Sequence, residues 1–167
     1  MEQAYAEASC KRKKTVMITA LKIVLVVIVV LIMLSTILLA WFAIIGVVAA
    51  GALIWYWPRF DVMWEYVYCD GQLDFDQILG GEKRKTVLRI EIEDADVIAP
   101  IGSERLDGYR HIPVKNYTSL EKDANVYGVA VRIGKNDEKT LIMFEPSEKM
   151  IDLMHSKCPR TVEKAVS

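Results

Sequence analysis

Residues Ile23–Trp57 read IVLVVIVVLIMLSTILLAWFAIIGVVAAGALIWYW, an apolar stretch without one charged side chain, bounded by Lys22 and by Pro58 and Arg59. A helix rises about 1.5 Å per residue and crosses a hydrocarbon core of ~30 Å in about 20 residues. This stretch, as one straight helix, would reach roughly 50 Å. Taken with residues 15–22, it instead fits two short crossings joined by a turn, at about 16–36 and 40–57. Ser35 and Thr36 form the polar pair in its middle, and Trp41 is expected at the far interface. Trp55, Tyr56 and Trp57 make an aromatic belt at the near one. Gly46, Gly51 and the alanines at 43, 49, 50 and 52 offer a small-residue face for close helix packing. One long tilted crossing is the alternative.

Working outward toward the N-terminus, residues 1–14 read as a basic segment with an uninformative small-residue beginning. The run Lys11, Arg12, Lys13 and Lys14, with Lys22, determines topology, because Lys and Arg beside a span stay cytoplasmic. Two crossings then return the chain, so both termini are expected in the cytoplasm of a multi-pass protein of the cell membrane. The apolar run is too long for a cleaved signal peptide. Cys10, ahead of the basic run, is a surface thiol or, in a eukaryote, a palmitoylation site.

On the other side of the apolar stretch, residues 59–167 are expected to fold as one mainly-β cytoplasmic domain, a β-sandwich or open barrel closed by a C-terminal helix. The period changes to two at Met63–Tyr68, and Asp70-Gly71 then separates this run from Leu73 and Phe75, the composition of a hairpin turn. Leu88, Ile90 and Ile92 alternate with Arg89, Glu91 and Glu93; Val97–Ala99 is short and stops at Pro100. Ile101–Val126 loses periodicity and reads as a long connection holding a short strand or turn. A second hairpin follows, from Val129 through Gly134 and Asp137 to Phe144. Met150, Ile151, Leu153, Met154 and Cys158 form an apolar stripe at helical spacing over about 146–158, with Pro146 in the first turn and Glu145 or a neighbour capping it.

Charge and composition narrow the function. Residues 1–58 carry five Lys/Arg against two acids, and residues 59–167 carry sixteen against twenty. A mildly acidic domain lacks the basic footprint that nucleic acid requires, so no nucleic-acid partner is expected. Three widely spaced cysteines make neither a disulfide framework nor a zinc site. Asp70, Asp74 and Asp76 lack the order of a calcium loop, since Asp70-Gly71 comes first. Arg84 stands where a phosphate loop needs its second glycine. His111 and His155 have no nucleophile in a triad pattern. No catalytic residue, no metal and no cofactor is expected, and an enzyme is disfavoured. Asn116-Tyr117-Thr118 is formally a glycosylation sequon, without meaning in a cytoplasmic domain.

One cluster has a physical route to a partner. Lys83, Arg84, Lys85 and Arg89 are expected to contact anionic lipid headgroups, at about 1 kcal/mol per charge near the surface. A solvated strand end is the plainer reading.

The basic run, the apolar pair, WEYVYCDGQLDFDQILGGEKRK at 64–85 and FEPSEKMIDLMHSKCPR at 144–160 together resemble an uncharacterised family of small two-span membrane proteins from Gram-positive anaerobic bacteria. The soluble half of that family is similar to bacterial pleckstrin-homology-like (PH-like) domains. The resemblance implies two packed antiparallel sheets closed by a C-terminal helix, and it carries no catalytic residues. The functional expectation is a membrane-tethered, non-enzymatic interaction module that binds a protein segment or anionic headgroups at the inner face of the membrane. The alternative is an accessory subunit of a larger membrane complex, packing through its helical hairpin against a membrane or cytoplasmic protein partner.

Overall fold

The computed structural model describes residues 4–13, 16–35, 41–81, 83–134 and 137–165. Two regions are visible: an apolar helix pair and a two-sheet domain.

The helices are α1 (Val16–Ser35) and α2 (Trp41–Tyr56), followed by a 3-10 turn over Trp57–Phe60. They run antiparallel. Met33 and Ile32 lie against Gly46, Leu25 and Ile28 share a groove with Ala52 and Leu53, and Lys22 reaches Trp57. Helix α1 is long and apolar enough to cross a membrane, with a mean hydropathy of 3.1, whereas the apolar part of the second helix is shorter. Ser35 ends α1, its Oγ donating to Ile32 O at 2.6 Å, while Thr36, the expected turn and the Trp41 side chain lie outside what is described.

Residues 1–14, expected as a lead-in, are the first correction. Tyr5–Lys11 forms strand β1, which pairs antiparallel with β2 (Val62–Cys69) from Tyr5↔Cys69 to Lys11↔Met63. Ala6 is buried and Ala8 and Cys10 are half-buried on one face, while Tyr5, Glu7, Ser9 and Lys11 are exposed. That alternation is present in the sequence, but alanine, serine and cysteine give it no hydrophobic weight. The domain is therefore not residues 59–167 alone: the helix pair is inserted between its first and second strands. Of the topology-setting cations, Lys11 ends β1, Arg12 N donates to Val62 O at 3.0 Å and Lys13 N to Ser119 O at 2.7 Å. Lys14 lies outside the described residues.

Sheet one has the order β1-β2-β3-β4, all antiparallel, with β3 at Gln72–Leu79 and β4 at Lys83–Glu91. The β2–β3 turn places Asp70 at φ 48° and Gly71 at φ 105°, the double positive-φ geometry that matches strand twist and favours an Asp-Gly pair. Ile92, expected to continue β4, begins a 3-10 turn over Ile92–Asp94 that leads to β5 (Ala95–Pro100). Sheet two has the order β5-β7-β8-β6, with β6 at Val114–Asn116, β7 at Tyr127–Ile133 and β8 at Glu138–Phe144. Strand β6, inside the aperiodic connection, runs parallel to β8. Helix α3 spans Glu148–Lys157, and its cap is Ser147, whose Oγ accepts from Met150 N at 3.3 Å. Pro146 thus precedes the cap rather than filling the first turn.

The core between the sheets is aromatic. Tyr66, Phe75 and Phe144 are fully buried and meet edge to face at 5.5–5.8 Å, and Trp64 and Phe75 flank Tyr117 at 4.7 and 5.4 Å. Burying each large apolar side chain is worth roughly 1.5–3 kcal/mol, and each such ring pair about 0.5–1.5 kcal/mol more. Met150, Ile151 and Met154 turn the α3 stripe onto this core.

Candidate functional site

The sequence Trp55-Tyr56-Trp57-Pro58-Arg59-Phe60 joins the two regions, and its rings organise the cations around it. Lys22 Nζ stands 4.8 Å over the Trp57 ring and 5.1 Å from that of Phe60, and is buried at 8 % exposure. The Arg59 guanidinium lies 4.5 Å over Trp55 and 5.1 Å from Tyr56. Pro58, unable to extend a helix hydrogen-bond ladder, suits the 3-10 turn that brings Arg59 back toward the domain.

The β3–β4 turn closes on this segment. Gly80 sits at φ 62°, its N–H donates to Asp61 O at 2.9 Å, and a Cβ on it would stand 2.4 Å from Pro58 Cβ. Glycine is required there by close approach as well as by conformation. The contact leaves a cleft of about 240 Å³, lined by Ile54, Trp55, Pro58, Leu79 and Gly80 with Arg59 and Lys83. Among the described residues no carboxylate lines it, and neither Arg59 nor Lys83 has an ion-pair partner. An apolar wall with two cations that no described carboxylate pairs fits a ligand that is anionic at one end and apolar at the other.

Of the four clustered cations read from the sequence, the structure brings only Lys83 into this cleft. Arg84 donates from Nε to Asp76 Oδ2 at 2.7 Å and lies 3.0 Å from Glu65. Arg89 makes two parallel bonds to Asp74, at 2.8 and 2.7 Å. Lys85, exposed and opposite Gln77, belongs to neither set. Strand alternation separates Lys83 and Lys85 from Arg84, and a register shift at Phe75/Asp76 then carries Arg89 to the face of Asp74. The same face holds a carboxyl pair. Burial, then a hydrogen bond shared with Glu7, pushes Glu65 above the usual carboxyl range, and that bond holds Glu7 below it.

The remaining candidates are structural. Asp74 and Asp76 are engaged by arginines, and Asp70 occupies the hairpin turn. Among the described residues no three His, Cys, Asp or Glu side chains group as a metal site. Cys10 is not a surface thiol: its Sγ lies 2.9 Å from Tyr66 Oη, and Tyr66 donates in turn to Tyr117 O. Burial pushes the Cys10 thiol up to about 11 and the Tyr66 phenol up as well. Asn116 of the sequon accepts from Thr118 N and Oγ1 at 3.0 and 2.8 Å, tying its amide into a local turn. His155 Nδ1 is 2.8 Å from Val162 O, fixing the tail after α3. Sequence reasoning missed Arg59. Its signal was there, a cation directly after an aromatic belt, but nothing linear joins it to Lys83.

Comparison with known families bears on the whole arrangement. Residues 2–164 match the family model described as Bacterial PH-like domain (DUF6106), a span that takes in the helix pair as well as both sheets. No curated protein and no solved structure matches the chain. PH-like domains are in general non-enzymatic interaction modules, which accords with two packed sheets and a closing helix. With nearly its full length matched, the chain belongs to the bacterial PH-like domain family.

Proposed function

We propose that this protein is a membrane-tethered, non-enzymatic interaction module, anchored by α1 and α2 and held against the inner leaflet through the Arg59–Lys83 cleft. The observation that carries it is the pairing of β1 with β2 on either side of the apolar helices. Strand β1 leads into α1, and α2 leads back to β2. A single crossing would put the two strands on opposite sides of the bilayer, where they cannot hydrogen-bond. An even number of crossings is the arrangement compatible with that register. Lys11, Arg12, Lys13 and Lys14 then favour a cytoplasmic domain and cytoplasmic termini.

At the junction, Arg59 and Lys83 supply positive charge that no described carboxylate neutralises, and the aromatic belt suits the interface. Arg84 and Arg89, already held by carboxylates, drop out of the lipid contact, and Lys85 contributes at long range. Topology is tested with reporter fusions at Met1 and after Ser167 in cells. Both ends are expected to report cytoplasmic, and opposite sides would overturn the anchor. Headgroup contact is tested by retention of a fluorescent anionic phospholipid on the full chain in mild detergent. Arg59→Gln with Lys83→Gln should remove about 2 kcal/mol of attraction at most, with loss of preference over a zwitterionic lipid. Equal retention by wild type and variant would overturn the cleft.

A second reading, an accessory subunit packing into a larger membrane complex, is favoured by one feature. Leu25, Ile28, Val29, Ala49, Ala52 and Leu53 line a shallow, almost wholly apolar groove of about 360 Å³ between the helices. A stoichiometric membrane partner retained in mild detergent is its expected sign.

A further inference from the structure

Sheet edges are where a β sandwich leaves backbone groups without partners, and this domain covers its edges unequally. The outer edge of β5 receives the C-terminal tail, with Ile98 N donating to Thr161 O and Glu163 N to Ile98 O, both at 2.8 Å. Sheet two ends on its other side in β6, only three residues long. Strand β1 lies along α3. Strand β4 is different: it is nine residues long and bonded to β3, and no strand or tail takes its outer edge among the described residues.

The first part of that edge, Lys83 to Lys85, has the lysine-rich composition that keeps exposed strands from pairing. The second part, Leu88 to Glu91, does not. It borders two adjoining hollows of about 450 and 280 Å³ that share Leu88, Ile133 and Gly134, and so make one furrow between β4 and the β7–β8 hairpin. Leu88, Ile90, Val131 and Ile133 give it an apolar lining. Its charge is lopsided. Arg89 and Arg132 are taken by Asp74 and Asp137 at 2.7 and 3.0 Å. Among the described residues Glu91, Asp94 and Glu138 have no ion-pair partner, and Lys115 is the one lining cation left to oppose them. Leu88 lies about 17 Å along the strand from Lys83, at about 3.3 Å per residue, so the furrow stands clear of the junction cleft.

The geometry points to this furrow as a docking site for an extended, basic segment of a partner protein, added to β4 as a further strand. The free edge supplies backbone hydrogen bonds, and Leu88 and Ile133 receive an apolar side chain. Glu91, Asp94 and Glu138 select lysine or arginine at the alternate positions. This goes beyond the membrane reading and stands without it.

The test uses the full chain in mild detergent and a fluorescent synthetic pentapeptide alternating lysine and valine. Matched probes are a glutamate–valine peptide and a lysine–valine peptide methylated on its backbone nitrogens. The lysine–valine peptide should bind about tenfold or more tightly than either control. Glu91→Lys with Asp94→Lys, both on the domain surface, should weaken it about tenfold, whereas Glu148→Lys on α3 should leave it unchanged, with circular dichroism checking each fold. Equal binding of the methylated peptide would reduce the site to charge attraction. Indifference to the Glu91/Asp94 reversal, or no binding at all, would overturn it outright. A concentration-dependent dimer abolished by that reversal would assign the furrow to a second copy of this chain instead.

Discussion

Helix α1 and the two-sheet domain invert one another. In α1 the buried residue is a lysine, Lys22, while Ile23, Val24, Val30 and Leu31 are each half or more exposed. In the domain the fully buried residues include Tyr66, Leu73, Phe75 and Phe144, and lysines such as Lys83, Lys85 and Lys115 stand outside. Each region obeys the hydrophobic effect, but in different surroundings. Exposed valine and isoleucine over twenty residues are costly in water and at no cost in hydrocarbon, where a lysine must instead be screened by rings at the helix end. This contrast is the physical content of the proposed anchor.

The contrast is broken most sharply by truncating one side chain of each kind. Phe75→Ala should destabilise the domain by about 3–5 kcal/mol in denaturant titrations of the full chain, because its ring meets three others in a closed core. Val48→Ala in α2, 66 % exposed, should change stability by less than about 0.5 kcal/mol. Comparable losses at both positions would mean that α2 is packed against protein.

The boundary between the regions comes next. Gly80→Ala should cost about 1–3 kcal/mol, from the positive φ and from the collision with Pro58, and should open the Arg59–Lys83 cleft. A thermal melt and the lipid-retention assay read the two effects, and an unshifted melt would show that the β3–β4 turn does not rest on Pro58.

A smaller effect belongs to the helix that closes the core. Ser147→Ala removes the acceptor for Met150 N and should cost about 1 kcal/mol. The same titration measures it, and no change would mean that α3 is held by its apolar stripe alone.

The last effect is felt only at high pH and belongs to Cys10, whose Sγ meets Tyr66 Oη and so ties β1 to the core. A group held protonated in the fold contributes stability fully present below its unfolded value near 9 and lost as pH rises toward about 11. Stability should therefore decline across that window in wild type and decline less in Cys10→Ser. At pH 8, maleimide should modify the exposed Cys69 well before Cys10. Equal rates would show that β1 leaves the sheet readily.

Much of this architecture is legible without coordinates. An uncharged apolar run can be solved in few ways, so Ile23–Trp57 narrows the choice to a helix pair or one long tilted helix. Asp70-Gly71 has the backbone freedom its hairpin needs, and Met150, Ile151 and Met154 repeat at the period of a helix. Those signals are local, each carried by residues that are neighbours in the chain. Tertiary structure alone decided the rest, because it depends on residues far apart in sequence. Tyr5–Lys11 becomes a strand only when β2 offers an edge and α3 covers it; small residues alternating in isolation carry too little burial to declare themselves. The basic run at 83–89 is one cluster in sequence and three environments in space, since alternation and a bulge turn Arg84 and Arg89 onto carboxylates of β2 and β3. Arg59 and Lys83 meet because Gly80 lets a turn close on Pro58. A linear reading counts charges, and only the packed sheet determines which of them are already neutralised.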